Sequence, residues 1–328
     1  MAGLDTRSAE RLRLLPRRLV GVMSSHPKRA DSGARPSIAI IGPGKVGVAL
    51  AKLACAKGYR VTAVGGRDPL KVRAAADEIG PETQALTSVE AASAVDLVFL
   101  TVSDAAIQAV AEELAAAEAL SAGSVLVHCS GALTSEILAP VKGSAEFAVA
   151  SFHPLQTFPS VERAEADLPG SHCFLEGDAR ALDVLERFGA DIGIHCVRIE
   201  TEAKVLYHAG AVIACNYLCT LMDAALCSSE AAGIERATAW PAFEPLIRST
   251  LENIGRLGPA AALTGPIQRG ERDTVAMHLR ALEEAAPELG ALYRVLGLRT
   301  LDLALQGRAT DELPSQDIRE LRRLLRTE

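Results

Sequence analysis

Polar residues capable of acid–base chemistry lie at the ends of two predicted strands. His128 ends one strand and is followed by Ser130, while His153 follows the next strand and precedes Pro154. The proline pushes the backbone of His153 towards extended geometry. An imidazole at a strand end above a bound molecule can donate a proton to a developing alkoxide or amine. We predict His128, Ser130 and His153 as catalytic candidates, with a structural, hydrogen-bonded role for either histidine as the alternative.

A second pair of polar residues lies near the start of a long, apolar predicted helix. Lys204 and His208 are four residues apart and therefore share a helix face. A lysine in a buried helix needs a partner or a function, whereas a solvated lysine in the first turn would need neither. We predict that Lys204 polarises a substrate oxygen, that a histidine delivers the proton, and that Lys204 and His208 converge with His153.

Three further residues are predicted to bind the substrate. Gln156 lies in the polar segment that follows His153, and Asn216 lies on the long helix, about 120° round from Lys204 at 100° per residue. Arg269 lies in a loop punctuated by proline and glycine, where a guanidinium can hold a substrate carboxylate. A plain turn between helices is the alternative for that loop.

A glycine-rich loop joins the first predicted strand to the first predicted helix, with the sequence Gly42-Pro43-Gly44-Lys45-Val46-Gly47. In such a loop the first glycine permits a tight turn, the second lets the backbone approach a pyrophosphate, and the third allows close packing of helix on strand. The helix N-terminus adds N–H donors and a positive dipole. The loop therefore predicts a dinucleotide site, with a non-binding glycine-rich turn as the alternative.

The end of the second predicted strand indicates which dinucleotide binds. An acidic residue usually stands there in NAD sites, but this chain has two glycines followed by Arg67. A guanidinium at that place can bind a 2′-phosphate through two hydrogen bonds. We therefore predict NADP rather than NAD, although Arg67 could instead pair with Asp68. Further along the sheet edge, Val102, Ser103 and Asp104 are predicted to line the ribose or nicotinamide, or to cap a helix.

These residues are positioned by a regular alternation of strands and helices. Strands are predicted at 37–41, 60–64, 84–86, 95–102, 124–128, 147–152, 172–175 and 194–199, with helices at 48–57, 69–79, 104–117 and 179–188. This pattern is typical of an α/β fold with a doubly wound Rossmann sheet. After residue 200 the strands stop, and helices are predicted at 202–231, 242–257, 273–286 and 287–305.

The domain organisation follows from these elements and from charge. Residues 1–36 carry eight basic and three acidic residues and are predicted to be a disordered basic extension. Residues 37–200 form the predicted Rossmann domain, and residues 201–328 an all-helical domain that binds substrate and forms a homodimer. The dimer is expected because the long helix is apolar on most of its faces.

Composition excludes several classes of partner. The chain has 328 residues and a net charge of −7, so its acidic body argues against nucleic acid. We find no uninterrupted apolar stretch of about 18 residues and therefore predict no membrane span. The seven cysteines show no CxxC spacing, which is typical of reduced thiols in a cytoplasmic protein. No metal site is predicted.

Five strings of residues carry a resemblance to a known family: GPGKVG, HCSG, FHPLQTFP, AKVLYHAGAVIACNY and LTGPIQRG, in that order between residue 37 and about residue 305. The chain resembles bacterial Rossmann-like proteins joined to a helical C-terminal domain of unknown function. That family is similar to the wider group of 6-phosphogluconate, 3-hydroxyisobutyrate and prephenate dehydrogenases, ketopantoate reductase and pyrroline-5-carboxylate reductase.

The resemblance implies an NAD(P)-dependent reductase or dehydrogenase whose helical domain forms the dimer and closes the substrate cleft. Lys204 matches the position of a catalytic lysine in several of these relatives, and His153 falls in a segment like the His-Pro segment of prephenate dehydrogenases. The relatives usually have asparagine four residues after the lysine, where this chain has His208.

We therefore expect an NADP-dependent oxidoreductase that transfers a hydride between the nicotinamide and a small carbonyl or imine compound, possible substrates including a 2-oxo acid of the ketopantoate type. A protein that binds NADP as a sensor or scaffold, without turnover, is the alternative. The missing asparagine favours that alternative.

Overall fold

A computed structural model describes residues 35–143, 147–306 and 315–326, so all but two residues of the predicted extension 1–36 lie outside it. The described chain begins with one eight-stranded sheet in the order β3-β2-β1-β4-β5-β6-β7-β8. Its strands are β1 (Ile38–Ile41), β2 (Val61–Gly65), β3 (Gln84–Leu86), β4 (Leu97–Leu100), β5 (Val125–His128), β6 (Ala148–Leu155), β7 (His172–Gly177) and β8 (His195–Arg198). Strands β1 to β6 are parallel to one another.

Helices cover both faces of this sheet, which confirms the predicted doubly wound α/β class. One face packs against α1 (Lys45–Ala56), α2 (Pro69–Ile79), α5 (Val161–Asp167) and α6 (Ala179–Asp191). The other face packs against α3 (Ser88–Ala92), α4 (Asp104–Ala116) and the 3₁₀ segment Ser135–Gly143. Every residue of β1, β4 and β5 is buried, because central parallel strands are covered on both sides and must be apolar throughout.

The last two strands run against the rest of the sheet. Strand β7 is antiparallel to β6, and β8 is parallel to β7. In the β6–β7 pair Ser151 stands opposite Glu176, and His153 stands opposite Phe174. Side chains alternate between the two faces of a strand. Phe152 therefore belongs to the apolar core beneath α6, while Ser151 and His153 lie on the opposite face.

The second half of the chain is helical. It begins with a 3₁₀ turn at Thr201–Ala203 and continues with α7 (Lys204–Ala214), α8 (Asn216–Ala231), α9 (Arg236–Leu257), α10 (Pro259–Ala262), α11 (Pro266–Arg269), α12 (Arg272–Ala285), α13 (Pro287–Gln306) and α14 (Ser315–Leu325). The prediction of one helix over 202–231 is wrong in one respect. The helix is interrupted at Cys215, whose φ of −113° departs from helical geometry.

A broad apolar surface is exposed on these helices. Leu206 is 79% exposed and Ile213 is 63% exposed. Other large apolar residues of the helices between α7 and α13 are also exposed, although less than Leu206. Within the described residues, the segment Thr201–Ala231 is long and apolar enough to cross a membrane by length and composition alone, and an 18-residue window of it has a mean hydropathy of 1.5. This helix carries scattered polar residues and is not the unbroken apolar run that the sequence expectation concerned, so the expectation of no membrane span stays a prediction.

Candidate active site

The glycine-rich loop is held against the end of β4 at distances that only glycine allows. Gly42 has a φ of +107°, and a Cβ there would lie 2.8 Å from the carbonyl carbon of Thr101. A Cβ on Gly47 would lie 2.3 Å from the Thr101 Oγ1. The same hydroxyl donates a 2.7 Å hydrogen bond to the carbonyl of Gly42. The loop is therefore a closed turn whose backbone approaches the sheet edge, as a pyrophosphate site requires.

Beside the loop lies a cleft with two cationic side chains on its wall. The cleft is lined by Gly42, Pro43, Gly44, Gly66, Arg67, Asp68, Lys71, Ser88, Thr101, Val102, Ser103, Ala106 and Val110. The Asp68 carboxylate caps α2, accepting hydrogen bonds from the N–H groups of Leu70 and Lys71 at 3.1 and 3.3 Å. Arg67 has no ion pair with any residue that the structure describes, so the alternative of an Arg67–Asp68 pair is wrong. Sequence reasoning missed Lys71.

Lys45, Val46, Ser103 and Asp104 also surround this edge of the sheet. Lys45 opens α1 and is exposed. Ser103 precedes α4 but makes no capping hydrogen bond through its side chain. Asp104 instead accepts a 2.8 Å hydrogen bond from the Ser130 hydroxyl. That bond joins the start of α4 to the turn after β5 and links the cofactor side of the edge to the predicted catalytic side.

His128 is a structural residue in this arrangement. Its Nδ1 accepts a hydrogen bond from the backbone N–H of Ser130 at 3.2 Å, and its Nε2 contacts the carbonyl of Thr134 at 3.1 Å. Burial lowers the pKa of His128 to about 4, and the nearby Lys204 charge adds to that effect. Because both ring nitrogens are engaged by backbone, His128 has no free nitrogen for a substrate, and the structural alternative applies to it.

His153 and His208 converge on one point. A Cβ added to Gly131 would lie 2.3 Å from the His208 Nδ1 and 2.7 Å from the His153 Nε2, and the two ring centroids are 5.4 Å apart. The other nitrogen of His153, Nδ1, is 3.0 Å from the Tyr207 hydroxyl. The His208 Nδ1 is buried and has no hydrogen-bond partner. Two imidazole edges therefore face the same point beside the Gly131 backbone, where they leave less room than a methyl group needs.

The electrostatics of this space favour an uncharged imidazole. Burial lowers the pKa of His153 to about 4, and the positive charges of Lys204 and then His208 act in the same direction. Burial also raises the pKa of Tyr207 well above its usual value. At neutral pH the site therefore presents a neutral His153 and a protonated Tyr207 hydroxyl.

Lys204 lies one helical turn from His208 but is enclosed. It is fully buried, its Nζ hydrogen-bonds the Ser151 hydroxyl, and it stands 3.8 Å from the Glu176 carboxylate. Lys204 contacts Ser151 and His208 packs near His153, so the helix that carries Lys204 and His208 lies on the face of β6 that bears Ser151 and His153. The ammonium nevertheless lies below the imidazole pair, where protein groups surround it, so the expectation that Lys204 touches a substrate oxygen is not supported.

The predicted substrate-binding residues are not gathered at this space. Gln156 is exposed, and its side-chain oxygen accepts a hydrogen bond from the Thr157 N–H at 2.8 Å. Asn216 is exposed at the start of α8. Arg269 is exposed and bound to Glu271 at 2.5 Å. Sequence reasoning missed Tyr207, Ser151 and Glu176, which do contact the predicted residues.

Two family models match the chain. Residues 23–154 match a Rossmann-like domain, and residues 171–300 match a domain of unknown function, DUF2520. The second match begins at β7, so it includes the two reversed strands as well as the helices. No match was found among curated proteins.

Solved structures share the fold over nearly their whole length. Protein TM1727 from Thermotoga maritima is 27% identical, with a TM-score of 0.66, covering 83% of this chain and 100% of that one. Protein BF3122 from Bacteroides fragilis, proposed to be an NADP oxidoreductase, is 23% identical, with a TM-score of 0.66 and coverages of 82% and 98%. A reductive aminase from Aspergillus terreus, solved with NADPH, cyclohexanone and allyl amine, is 15% identical, with a TM-score of 0.57 and coverages of 84% and 100%.

The order of the two matched regions agrees with the order of the sheet and the helices. In this chain, a region that matches the Rossmann-like domain is therefore followed by a region that matches DUF2520.

Proposed function

We propose that this protein is an NADP-dependent oxidoreductase that transfers a hydride between the nicotinamide and a small carbonyl or imine compound. The buried, unpartnered Nδ1 of His208, facing His153 across Gly131, is the observation that carries the proposal. A buried polar atom without a partner is costly, and it costs least where a ligand completes it. Similarity of fold to an NADPH-bound reductive aminase supports the same reaction class.

The residues of the cleft fit a dinucleotide. The Gly42–Gly47 turn leaves backbone where a Cβ would clash with Thr101, and the N-terminus of α1 would receive the pyrophosphate. Arg67 would hold the 2′-phosphate, since its guanidinium is unpaired among the described residues and lines the cleft. Val102, Ser103 and Asp104 continue this edge towards the imidazole pair. When bound, the nicotinamide supplies or accepts the hydride.

The chain's own residues would manage the proton. The Tyr207 hydroxyl orients the His153 ring through Nδ1 and leaves Nε2 beside the Gly131 backbone. A neutral imidazole N–H can donate to the oxygen or nitrogen of the reacting group and can later be reprotonated from solvent. His208 would contact the same oxygen or nitrogen of the reacting group from the other side. Lys204 would act on the two imidazoles through its positive charge and would not contact the substrate.

The charges around the pair favour an imine over a 2-oxo acid. A carboxylate needs an accessible cation, but Lys204 is enclosed and Arg269 is bound to Glu271. His128 and His153 are neutral at pH 7, because burial lowers their pKa values to about 4. Among the described residues near the pair, the accessible charge is the Asp104 carboxylate, which suits a cationic iminium better than an anion.

Turnover with a substrate panel tests the proposal. Purified protein with NADPH is mixed with cyclic imines, with ketone and amine pairs, and with 2-oxo acids, and loss of NADPH absorbance is followed. We expect turnover with members of the imine set, abolished or reduced at least about a hundredfold by His153→Asn. Tight NADPH binding without turnover on any class would favour a sensor or scaffold instead.

Free thiols are consistent with a cytoplasmic protein, which we also propose. All seven cysteines are unbonded, and Cys215 and Cys219 are exposed. Exposed free thiols persist where the compartment keeps them reduced.

A further inference from the structure

Glu176 is a buried carboxylate that joins three separate parts of the chain. One carboxylate oxygen accepts a 2.8 Å hydrogen bond from the Ser135 N–H, and the other accepts bonds from the Ser135 hydroxyl at 2.8 Å and the Thr201 hydroxyl at 3.2 Å. The side chain is 1% exposed. The first two bonds reach the segment after β5, and the third reaches the turn that opens the helical domain. A carboxylate taken out of water needs such donors.

Lys204 completes the set of groups around Glu176. Its Nζ lies 3.8 Å from the Glu176 carboxylate and also bonds the Ser151 hydroxyl on β6. Burial lowers the pKa of Lys204, and the Glu176 charge opposes that effect. Removing one member of a buried ion pair leaves an uncompensated charge, whereas removing both can cost little. The pair is therefore a unit whose members act together.

The geometry places this unit directly beneath the imidazole pair. Ser151 and His153 are two residues apart on β6, which is a rise of roughly 7 Å. Lys204 and His208 are four residues apart on α7, which is a rise of roughly 6 Å. Because the two rises are similar, the strand and the helix place these four residues in two layers, with one residue of each element in each layer. Lys204 meets Ser151 and Glu176 on the lower level, and His208 meets His153 on the upper one.

Several other charged or titratable groups face the imidazole pair from the surrounding elements. They are Asp104 on α4, His128 on β5 and Tyr207 on α7. Asp104 favours the charged imidazole, while Lys204, His208 and His128 disfavour it. After burial, Lys204 is the largest of these influences on His153.

We propose that Glu176 is a positioning residue: it holds the Lys204 ammonium in the interior, and through it fixes both the place of α7 and the positive charge beneath His153. Tyr207 and His208, which orient and face His153, are carried on the same helix, so their position depends on this pair. This inference rests on the proposed function. Its test uses free protein, with neither cofactor nor substrate, so that a failure of the inference can be told apart from a failure of the proposed function.

The experiment compares Glu176→Gln, the neutral pair Glu176→Gln/Lys204→Met and the wild type by urea unfolding and by NMR titration of the histidine rings. His153→Asn identifies the His153 signal among the seven histidines. We expect the single variant to unfold at a clearly lower urea concentration and the neutral pair to recover part of that loss. We also expect the titration midpoint of His153 to rise by roughly half a pH unit in the neutral pair, because a nearby positive charge is gone.

Glu186→Gln is the matched control, since Glu186 pairs with Arg198 on the exposed side of the last strand at 2.6 Å. It should change neither the His153 midpoint nor, appreciably, the stability. A second neutral pair, Glu176→Gln/Lys204→Gln, keeps hydrogen-bonding groups in place of the charges. An unchanged His153 midpoint in a folded neutral pair would overturn the proposal. So would a neutral pair no more stable than Glu176→Gln, or failure of both neutral pairs to fold while Glu186→Gln folds.

Discussion

Two histidines with similar titration behaviour have different surroundings in this protein. Burial lowers the pKa of both His128 and His153 to about 4. His128 uses both ring nitrogens in contacts with the backbone of its own turn, whereas the Nε2 of His153 has no hydrogen bond to a described residue and lies beside Gly131. A lowered pKa therefore does not identify a reactive histidine by itself. We expect the histidine with a free nitrogen, His153, to be the reactive one.

The lowered pKa values of these two histidines predict how the free energy of unfolding depends on pH. Their folded-state pKa values lie below the ordinary value of 6.5, so the unfolded chain binds more protons between about pH 4 and 6.5. Stability is then complete above pH 6.5 and is lost as the pH falls towards 4, by on the order of 1 kcal/mol per pH unit for each histidine. Urea unfolding of wild type and His153→Asn across this range measures it. The variant should show a shallower fall, and parallel curves would refute the assignment.

Arg67 should decide which cofactor is preferred. Arg67→Ala removes the guanidinium proposed for the 2′-phosphate, so NADPH affinity should fall by about tenfold or more while NADH affinity changes little. Arg67→Lys keeps the charge but not the two parallel donors, and should be intermediate. Isothermal titration with both cofactors gives the ratio. A wild type that binds NADH as tightly as NADPH would contradict the prediction.

At the scale of elements, the close approach of α7 to the turn after β5 depends on Gly131. Gly131→Ala would place a methyl group within 2.7 Å of both imidazoles, so the rings must move. We expect turnover to fall by about a hundredfold with little change in NADPH affinity, because the phosphate loop is untouched.

Gly210→Ala is the control for that variant. It lies on the same helix as His208, and an added Cβ there meets nothing within 4 Å. Alanine inside a helix is more favourable than glycine by roughly 0.5–1 kcal/mol, so this variant should be active and slightly more stable. Equal activity of the two alanine variants would show that the imidazoles do not need their observed places.

The eight strands are predictable from sequence because their signal is local. Buried parallel strands are short apolar runs, as Leu97–Leu100 is, and the phosphate loop is recognised by its place between strand and helix. Asp68 was not predicted as a helix cap, although an aspartate before Pro69 is a typical helix start. The reversal of β7 and the burial of Glu176 were not predictable from sequence. Both depend on pairings with residues distant in the chain, such as Ser135 and Lys204.

At the scale of the whole molecule, the helical region exposes more apolar surface than one copy can cover. A groove of about 590 Å³ is lined mostly by apolar side chains of α8, α12 and α13, and Leu206 and Ile213 are exposed on α7. Large exposed apolar patches are typical of surfaces that bind a partner or a membrane. We propose that a second copy of this chain covers it, with each helical region packing on the other.

Sedimentation at micromolar concentration should show a homodimer. Leu206→Glu places a charge on the exposed face and should shift the protein towards monomer, whereas Arg256→Glu, in an exposed last turn of α9, should not. Flotation with lipid vesicles tests whether a membrane, instead of a second copy of the chain, covers this apolar face. A monomeric wild type that floats with vesicles would show that the helices face a membrane instead of a partner.

The enclosure of Lys204 has a consequence for motion. In a two-domain protein the linker is the natural hinge, but here the residue that follows the linker is tied to β6 and β7 through buried contacts. We therefore expect the first turns of the segment Lys204–Ala214 to move with the sheet. We expect the helical region to bend at Cys215, where the backbone angles depart from regular helical geometry. Amide hydrogen exchange should accordingly be as slow at 205–211 as in the neighbouring strands and faster around Cys215, so that the site keeps its histidines together while the rest of the helical region swings.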